Sequence, residues 1–402
     1  MKKSILNAFR KLGYDIRKYH PAPYGTVVSL QPENGFQGNV LLSLWIEPFL
    51  MEKGAPVPNT HTHHWGSLQI AKTFLDFGYA VDVIDYRNKD FIPKKEYAFF
   101  LAFRTNFERI AQYLNPDCLK IAHLDTAHWA FNNYSTYRRT IDLQRRRGYT
   151  LKSGQRIIEH NLAIEYADCA TVEGDRFSID TYRYAQKPIY RIPHSTCATY
   201  PWPEGKDFDA SRKSFLWMGS DGFVHKGLDL VLDAFAEMPD FNLYVCGPIG
   251  RSEEQFEEVY RKELYHTQNI HTVGWVDVES SEFMNILNKC IGIVYPSCSE
   301  SAAGTVLVCM HAGLVPVISY ETGIDIDKEV GVTLMDSTVD EIKGAVLNLA
   351  EKPPQELKAM ARRTWELARS NYTRERFSEV FREIIRNFIS GKTSGAMNNG
   401  AV

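Results

Sequence analysis

The sequence predicts an α/β protein made of two doubly wound domains in series. Three observations lead there. Apolar, β-branched runs alternate with helical patterns from about residue 39 to residue 350, the rhythm of a parallel sheet covered by helices on both faces. The rhythm breaks once, over "HSTCATYPWPEGKDFDASRKS" (194–214), where Pro201 and Pro203 flank Trp202; this reads as the linker. A chain of 402 residues, 44% of them hydrophobic, suffices for two such cores.

In the first half, "NVLLSLWI" (39–46) reads as a buried strand. "GSLQIAKTFLDFG" (66–78) follows as a helix with Leu68, Ala71, Phe74 and Leu75 on one face and Gly78 as its stop. "YAVDVIDY" (79–86) and "YAFFLAF" (97–103) are strands, "RTNFERIAQYL" (104–114) a helix, and "CLKIAHLDT" (118–126) a strand. A long basic loop is expected next, then a helix over "GQRIIEHNLAIEYA" and short strands at "CATVEG" and "PIYRIP".

After the linker the pattern restarts. "FLWMG" is a strand, and "GLDLVLDAFAEM" a helix with Leu228, Val231, Leu232 and Phe235 on one face. Strands at "FNLYVCG", "IHTVGWV", "IGIVYPS" and "LVPVISY" alternate with helices at "SEEQFEEVYRKELYH", "SEFMNILNKC" and "GTVLVCMHAG". The chain is helical from about 338 and ends in "RERFSEVFREIIRNFI" (374–389). The expected division is 1–200, 208–372, a last helix at about 374–390, and a disordered tail over 391–402.

Composition narrows the function. A net charge of −3 gives no overall attraction to nucleic acid. Seven cysteines without a C-x-x-C pair read as reduced thiols, no apolar run is long enough for a bilayer, and no signal-peptide pattern opens the chain. The expectation is a soluble cytoplasmic protein. Two basic stretches, 1–20 and 137–148, leave open a peripheral contact with an anionic membrane at its inner face; for 1–20 the alternative is a terminal helix docked on the core.

Ligands of parallel α/β domains bind at the carboxyl ends of the strands. In "MGSDGFVHKGLDL", Gly219 and Gly222 flank a loop and Lys226 precedes Gly227 at a helix mouth. A cation beside unpaired helix N–H groups suits a phosphate, although taken alone it reads rather as a solvated loop residue. In "YPSCSESAAGTVLV", Glu300 precedes Ser301, Ala302, Ala303, Gly304 and Thr305 at a second helix mouth. Small residues expose backbone amides, and one carboxylate accepts hydrogen bonds from hydroxyls, a combination suited to a sugar diphosphate; the alternative is a capping acid. Gly274 and Trp275, in "VGWV", could hold a nucleobase.

Together these blocks resemble the retaining GT-B glycosyltransferases of family 4, the "group 1" type, closely over about 215–335 and only in pattern over the first half. The resemblance implies two Rossmann-like domains facing a cleft, with the last helix crossing back to the first. It implies a nucleotide-sugar donor held by the second domain, and no cofactor. It makes Lys226 a diphosphate ligand and Glu300 a donor-sugar ligand. Two departures stand out: Ser220 occupies the place of a basic residue, and Val308 that of a second glutamate, the expected ribose ligand.

In the first domain the family's glycine-rich turn is represented only by Gly66 and Ser67, an expected acceptor-side helix mouth. His61, His63 and His64 lack an acid or cysteine at ligand spacing, so substrate contact is the better reading than metal. The family's histidine near the transferred sugar is matched by His123 or His128, with His128 preferred as the catalytic one and His123 kept on the acceptor side. "DID" (325–327) has no partner acids, so metal-independent transfer is expected, with Lys226 and two helix mouths stabilising the leaving diphosphate. The acceptor class is carbohydrate or lipid-linked, as in cell-surface polysaccharide or glycolipid synthesis. The rival expectations are a lapsed, sugar-nucleotide-binding relative and a sugar-nucleotide epimerase.

Overall fold

The computed structural model describes residues 23–52, 54–57 and 62–391. The basic segment 1–20, His61 and the tail from 392 lie outside the described residues. The first domain holds β1 (Val27–Leu30), β2 (Gly38–Leu44), β3 (Tyr79–Asp85), β4 (Phe99–Ala102), β5 (Leu119–Leu124), β6 (Cys169–Val172) and β7 (Ile189–Arg191). They form one sheet in the order β1-β3-β2-β4-β5-β6-β7, parallel except for β1 at the edge. The central strands are buried along their whole length, as expected for a sheet covered on both faces.

Helix α1 (Thr62–Asp76) begins four residues before the expected start, and Gly66 and Ser67 are buried within it rather than at its mouth. The larger difference is helix α2 (Trp129–Arg147), where a basic loop was expected. His128 caps its N-terminus and Gly148 ends it in the left-handed conformation. Its polarity hid it, because the face it buries is mostly polar, Asn132, Ser135 and Thr136, with Leu143 alone apolar. Conversely, 154–162 has no regular secondary structure where a helix was expected, and only Ala163–Tyr166 is helical.

The second domain repeats the architecture with β8 (Ser214–Met218), β9 (Asn242–Cys246), β10 (Ile270–Gly274), β11 (Gly292–Tyr295), β12 (Val315–Ser319) and β13 (Val332–Leu334). Their order β10-β9-β8-β11-β12-β13 is the doubly wound arrangement, all pairs being parallel. The topological switch lies between β8 and β11. Helix α3 (Leu228–Ala236) follows β8, and helix α4 (Gly304–His311) follows β11. Helix α5 (Arg374–Ile389) returns to the first domain, burying Phe377, Phe381, Ile384 and Ile385 beside Phe74, Phe99 and Tyr190.

The stretch 194–214, which joins the two domains, is partly packed into them. His194, Ser195 and Thr196 are buried, and Ala198, Tyr200 and Phe208 join the second core. Helix α2 also reaches across. Its Leu143 enters that core, and Arg146 and Arg147 pair with Asp229, Asp233 and Glu263. Arg147 stacks 4.5 Å from the Tyr260 ring, and Arg139 donates to the Pro296 carbonyl at 2.8 Å. Of the basic stretch 137–148, Arg139, Arg146 and Arg147 thus engage the other domain, and Arg138 and Arg145 face solvent.

Asp229 is fully buried and its Oδ1 has no hydrogen-bond partner, so it depends on Arg146 for neutralisation. Arg146→Met should therefore lower unfolding free energy by about 3 kcal/mol, measured by urea denaturation. Asp229→Asn added to that variant should recover part of the loss. A change below about 0.5 kcal/mol would mean that the cluster is a surface pair.

Candidate active site

The two domains face each other across a cleft of about 710 Å³. The carboxyl ends of β8 and β11, the switch-point strands of the second domain, form one wall. After β8 come Gly219 and Ser220, then a loop that leads to Lys226. Gly227 caps α3 at φ +73°, and a Cβ there would stand 2.5 Å from the Pro296 carbonyl oxygen. Only glycine fits, and this close approach brings the α3 mouth against the β11 loop.

Lys226 is buried, its Nζ 3.2 Å from Ser220 Oγ and 3.7 Å from Glu300 Oε1. Glu300 also accepts from Tyr295 Oη at 3.1 Å and Ser297 Oγ at 3.3 Å. Across the cleft, Arg156 Nη1 lies 3.4 Å from both Glu300 oxygens. Burial pushes the Glu300 carboxyl up, but the Lys226 ammonium and the Arg156 guanidinium outweigh it and hold it at about 2. Burial and the nearby Arg156 push Lys226 down to about 8 against the pull of Glu300. An ion pair alone would raise a lysine; this one is lowered because burial, aided by the second cation, outweighs its carboxylate. At neutral pH both partners are charged.

Ser301, Ala302, Ala303, Gly304 and Thr305 line the same wall, as do Trp275 and Val308. Gly274 is not part of the lining. The structure thus gathers Gly219, Ser220, Lys226, Trp275 and 300–305 around one space.

His128 is not brought there. Its Nδ1 accepts from Ala130 N at 3.3 Å and its Nε2 pairs with Tyr184 Oη at 3.0 Å, so helix capping turns the ring away. Gly66 and Ser67 are likewise off the cleft, because the α1 mouth is formed by Thr62 and His63. His123 stands one layer behind, bonded to Thr171 Oγ1 at 2.8 Å and to Glu173 Oε1 at 3.2 Å.

The first-domain wall holds residues that sequence reading missed. Glu173 and His194, each just past a strand end, form a buried hydrogen-bonded pair, and His63 Nδ1 lies 3.8 Å from Glu173. Burial pushes the Glu173 carboxyl up, and the surrounding histidines outweigh it and hold it well below its ordinary value. A Cβ on Gly304 would come within 3.2 Å of His194 Nε2, so this histidine faces the α4 mouth. Arg104 and Asp125 pair beside it on the lining. The strand-end rule marked these positions, since Glu173 closes "CATVEG" and His194 follows "PIYRIP". Among the described residues no group of three or more His, Cys, Asp or Glu has the geometry to hold a metal ion. No described helix is long and apolar enough to cross a membrane.

His225, the neighbour of Lys226, joins the domains. Its Nε2 lies 2.6 Å from the Ser299 carbonyl, which can only accept, so Nε2 carries the proton. Nδ1 lies 2.9 Å from Thr136 Oγ1 of α2, and burial keeps the ring neutral.

With the geometry in hand, comparison with known proteins identifies the class. Residues 212–352 match the family model described as glycosyl transferases group 1. No curated protein matches the chain. Among solved structures, a sucrose-phosphate synthase from Thermosynechococcus elongatus superposes with a TM-score of 0.63 at 16% identity, covering 88% of this chain and 100% of that one. HepE of Anabaena, in complex with UDP and glucose, gives 0.54 at 11%, with 88% and 99% covered. WaaG, a glycosyltransferase involved in lipopolysaccharide biosynthesis, gives 0.52 at 15%, with 89% and 100% covered. At such identities the likeness is one of fold. That fold is GT-B, and the match to the group 1 glycosyl transferases lies in its second domain. Together they define a glycosyltransferase of the GT-B type.

Burial and the nearby Arg156 push His225 down to about 3, so the unfolded chain binds a proton there that the native one refuses. Stability should therefore fall as pH drops from about 6.5 towards 3, by up to about 1.4 kcal/mol per pH unit from this group. Urea unfolding at pH 7, 6 and 5 should give a shallower slope for His225→Asn than for the parent. Equal slopes would show that the ring is not held neutral.

Proposed function

We propose that the protein moves a sugar from a nucleotide-sugar donor to a carbohydrate or lipid-linked acceptor, without a metal ion and with retention of anomeric configuration. The observation that carries this is the buried Lys226–Glu300 pair, set on the cleft wall beside the small residues of the α4 mouth. Cleavage of a sugar diphosphate builds negative charge on the leaving group. Lys226 and the N-terminal amides of α4 would oppose that charge. Glu300, held ionised, would accept hydrogen bonds from the sugar hydroxyls. The complex of HepE with UDP and glucose supports the donor class. Retention and metal independence rest on the likeness of the two motifs. Synthesis of cell-surface polysaccharide or glycolipid on the cytoplasmic side belongs to the same reading, with the basic 1–20 segment as a membrane contact.

A thermal-stabilisation screen of nucleotide sugars should single out one donor. Incubation of that donor with acceptor sugars should then give transfer, whereas a lapsed binding protein would stabilise without turnover, and an epimerase would isomerise the donor alone. Lys226→Ala should lower kcat by about a hundredfold or more. Glu300→Gln should raise donor KM and lower kcat together. Near-parental kinetics in either variant would remove that residue from the mechanism. Because Lys226 titrates at about 8, nucleoside diphosphate affinity should weaken as pH rises past that value, read as Kd at pH 7 against pH 9.5. An unchanged Kd would place the lysine outside the anion site.

A further inference from the structure

Two cations meet one carboxylate at the centre of the cleft: Lys226 and Arg156 both lie against Glu300. His225 beside them is kept neutral by burial and the nearby Arg156. Glu253, which with Asp221 also acts on Lys226, is turned to backbone N–H groups: it accepts from Gly222 N, and from Phe223 N at 3.2 Å. Two cations converging on one carboxylate in a part-buried site offer a bound anion two charge-assisted partners.

Arg156 reaches that site by a built route. Asn132 of α2, itself buried, donates to the Arg156 carbonyl at 2.7 Å. Asn133 clasps Ile158 through both backbone groups, at 2.8 Å to its N–H and 2.9 Å to its carbonyl. The irregular segment is thus strapped to α2, and α2 is clamped to the second domain. On the far side, a Cβ on Gly222 would fall 2.5 Å from Arg156 Cδ, so the missing side chain leaves the groove in which the arginine stem lies. Close packing and anchored backbone fix where the guanidinium can go.

We propose that Arg156, carried by the first domain, is the second cation of the donor site and binds the diphosphate of the nucleotide together with Lys226. The inference rests on the donor reading above and adds a ligand from the opposite domain. In the free protein the guanidinium pairs with Glu300; with donor bound it would turn to the phosphate oxygens and release Glu300 to the sugar. A diphosphate offers one phosphate group to each of the two cations, whereas a monophosphate offers a single group.

The test is titration of UDP, GDP and ADP, and of the matching monophosphate, into the parent protein, Arg156→Gln and Arg156→Lys, followed calorimetrically. The side chain is half exposed, so the variants should fold, which unfolding curves would verify. Arg156→Gln should weaken the preferred diphosphate by about tenfold to a hundredfold. The monophosphate should weaken less, and Arg156→Lys should fall between. Equal or tighter diphosphate binding by Arg156→Gln, with the parent binding normally, would overturn the inference and leave the donor reading standing. A parent that binds no nucleoside diphosphate would sink both.

Discussion

The active cleft depends on the charged docking of α2 onto the second domain. Asp229, at the start of α3, has no exposure to water, and Arg146 of the first domain neutralises it. Arg147 does the same for Asp233 and Glu263, with its guanidinium over Tyr260. Charges so buried are unfavourable unless paired, so the two domains are tied by what each would lose on separation. The same helix supplies Thr136 to His225, Arg139 to the Pro296 carbonyl, and the asparagines that hold the 156–158 strap. Through it, the wall that carries Lys226 and Glu300 is set opposite the wall that carries His194 and Arg156.

The electrostatics of that space follow from its construction. A lone lysine at the α3 mouth, buried as deeply as Lys226, would tend to lose its proton. Glu300 opposes that tendency, and Arg156 in turn competes for Glu300, so the three charges are mutually conditioned. On the other wall the Glu173 carboxylate is the centre of a histidine cluster and holds His194 toward the α4 mouth. One wall is suited to an anion and the sugar attached to it. The other presents a fixed imidazole to whatever lies beside that sugar.

Much of this was legible in the chain. The strand and helix periods of the second domain place Gly219, Lys226, Glu300 and the small residues after it at strand ends and helix mouths, where the structure has them. The first domain was harder to read for a physical reason. Helix α2 has hardly any apolar stripe, since the face it buries is mostly polar and its arginines pair with carboxylates distant in sequence, and a periodicity argument weighs only apolar residues. The irregular 154–162 segment misled in the opposite sense: its stability comes from asparagine side chains some 25 residues earlier, not from a local period.

The sequence by itself determined the two α/β domains, the last helix and the Lys226–Glu300 wall, because local periods and helix-mouth chemistry are written in neighbouring residues. Tertiary structure alone decided that His128 is a helix cap and that His194, Glu173 and Arg156 face the wall of Lys226 and Glu300. It also decided that Arg139, Arg146 and Arg147 of the basic stretch join the two domains. Each of those outcomes is a contact between residues far apart in the chain, and a burial or a charge pairing at such distance leaves no pattern in the residues on either side.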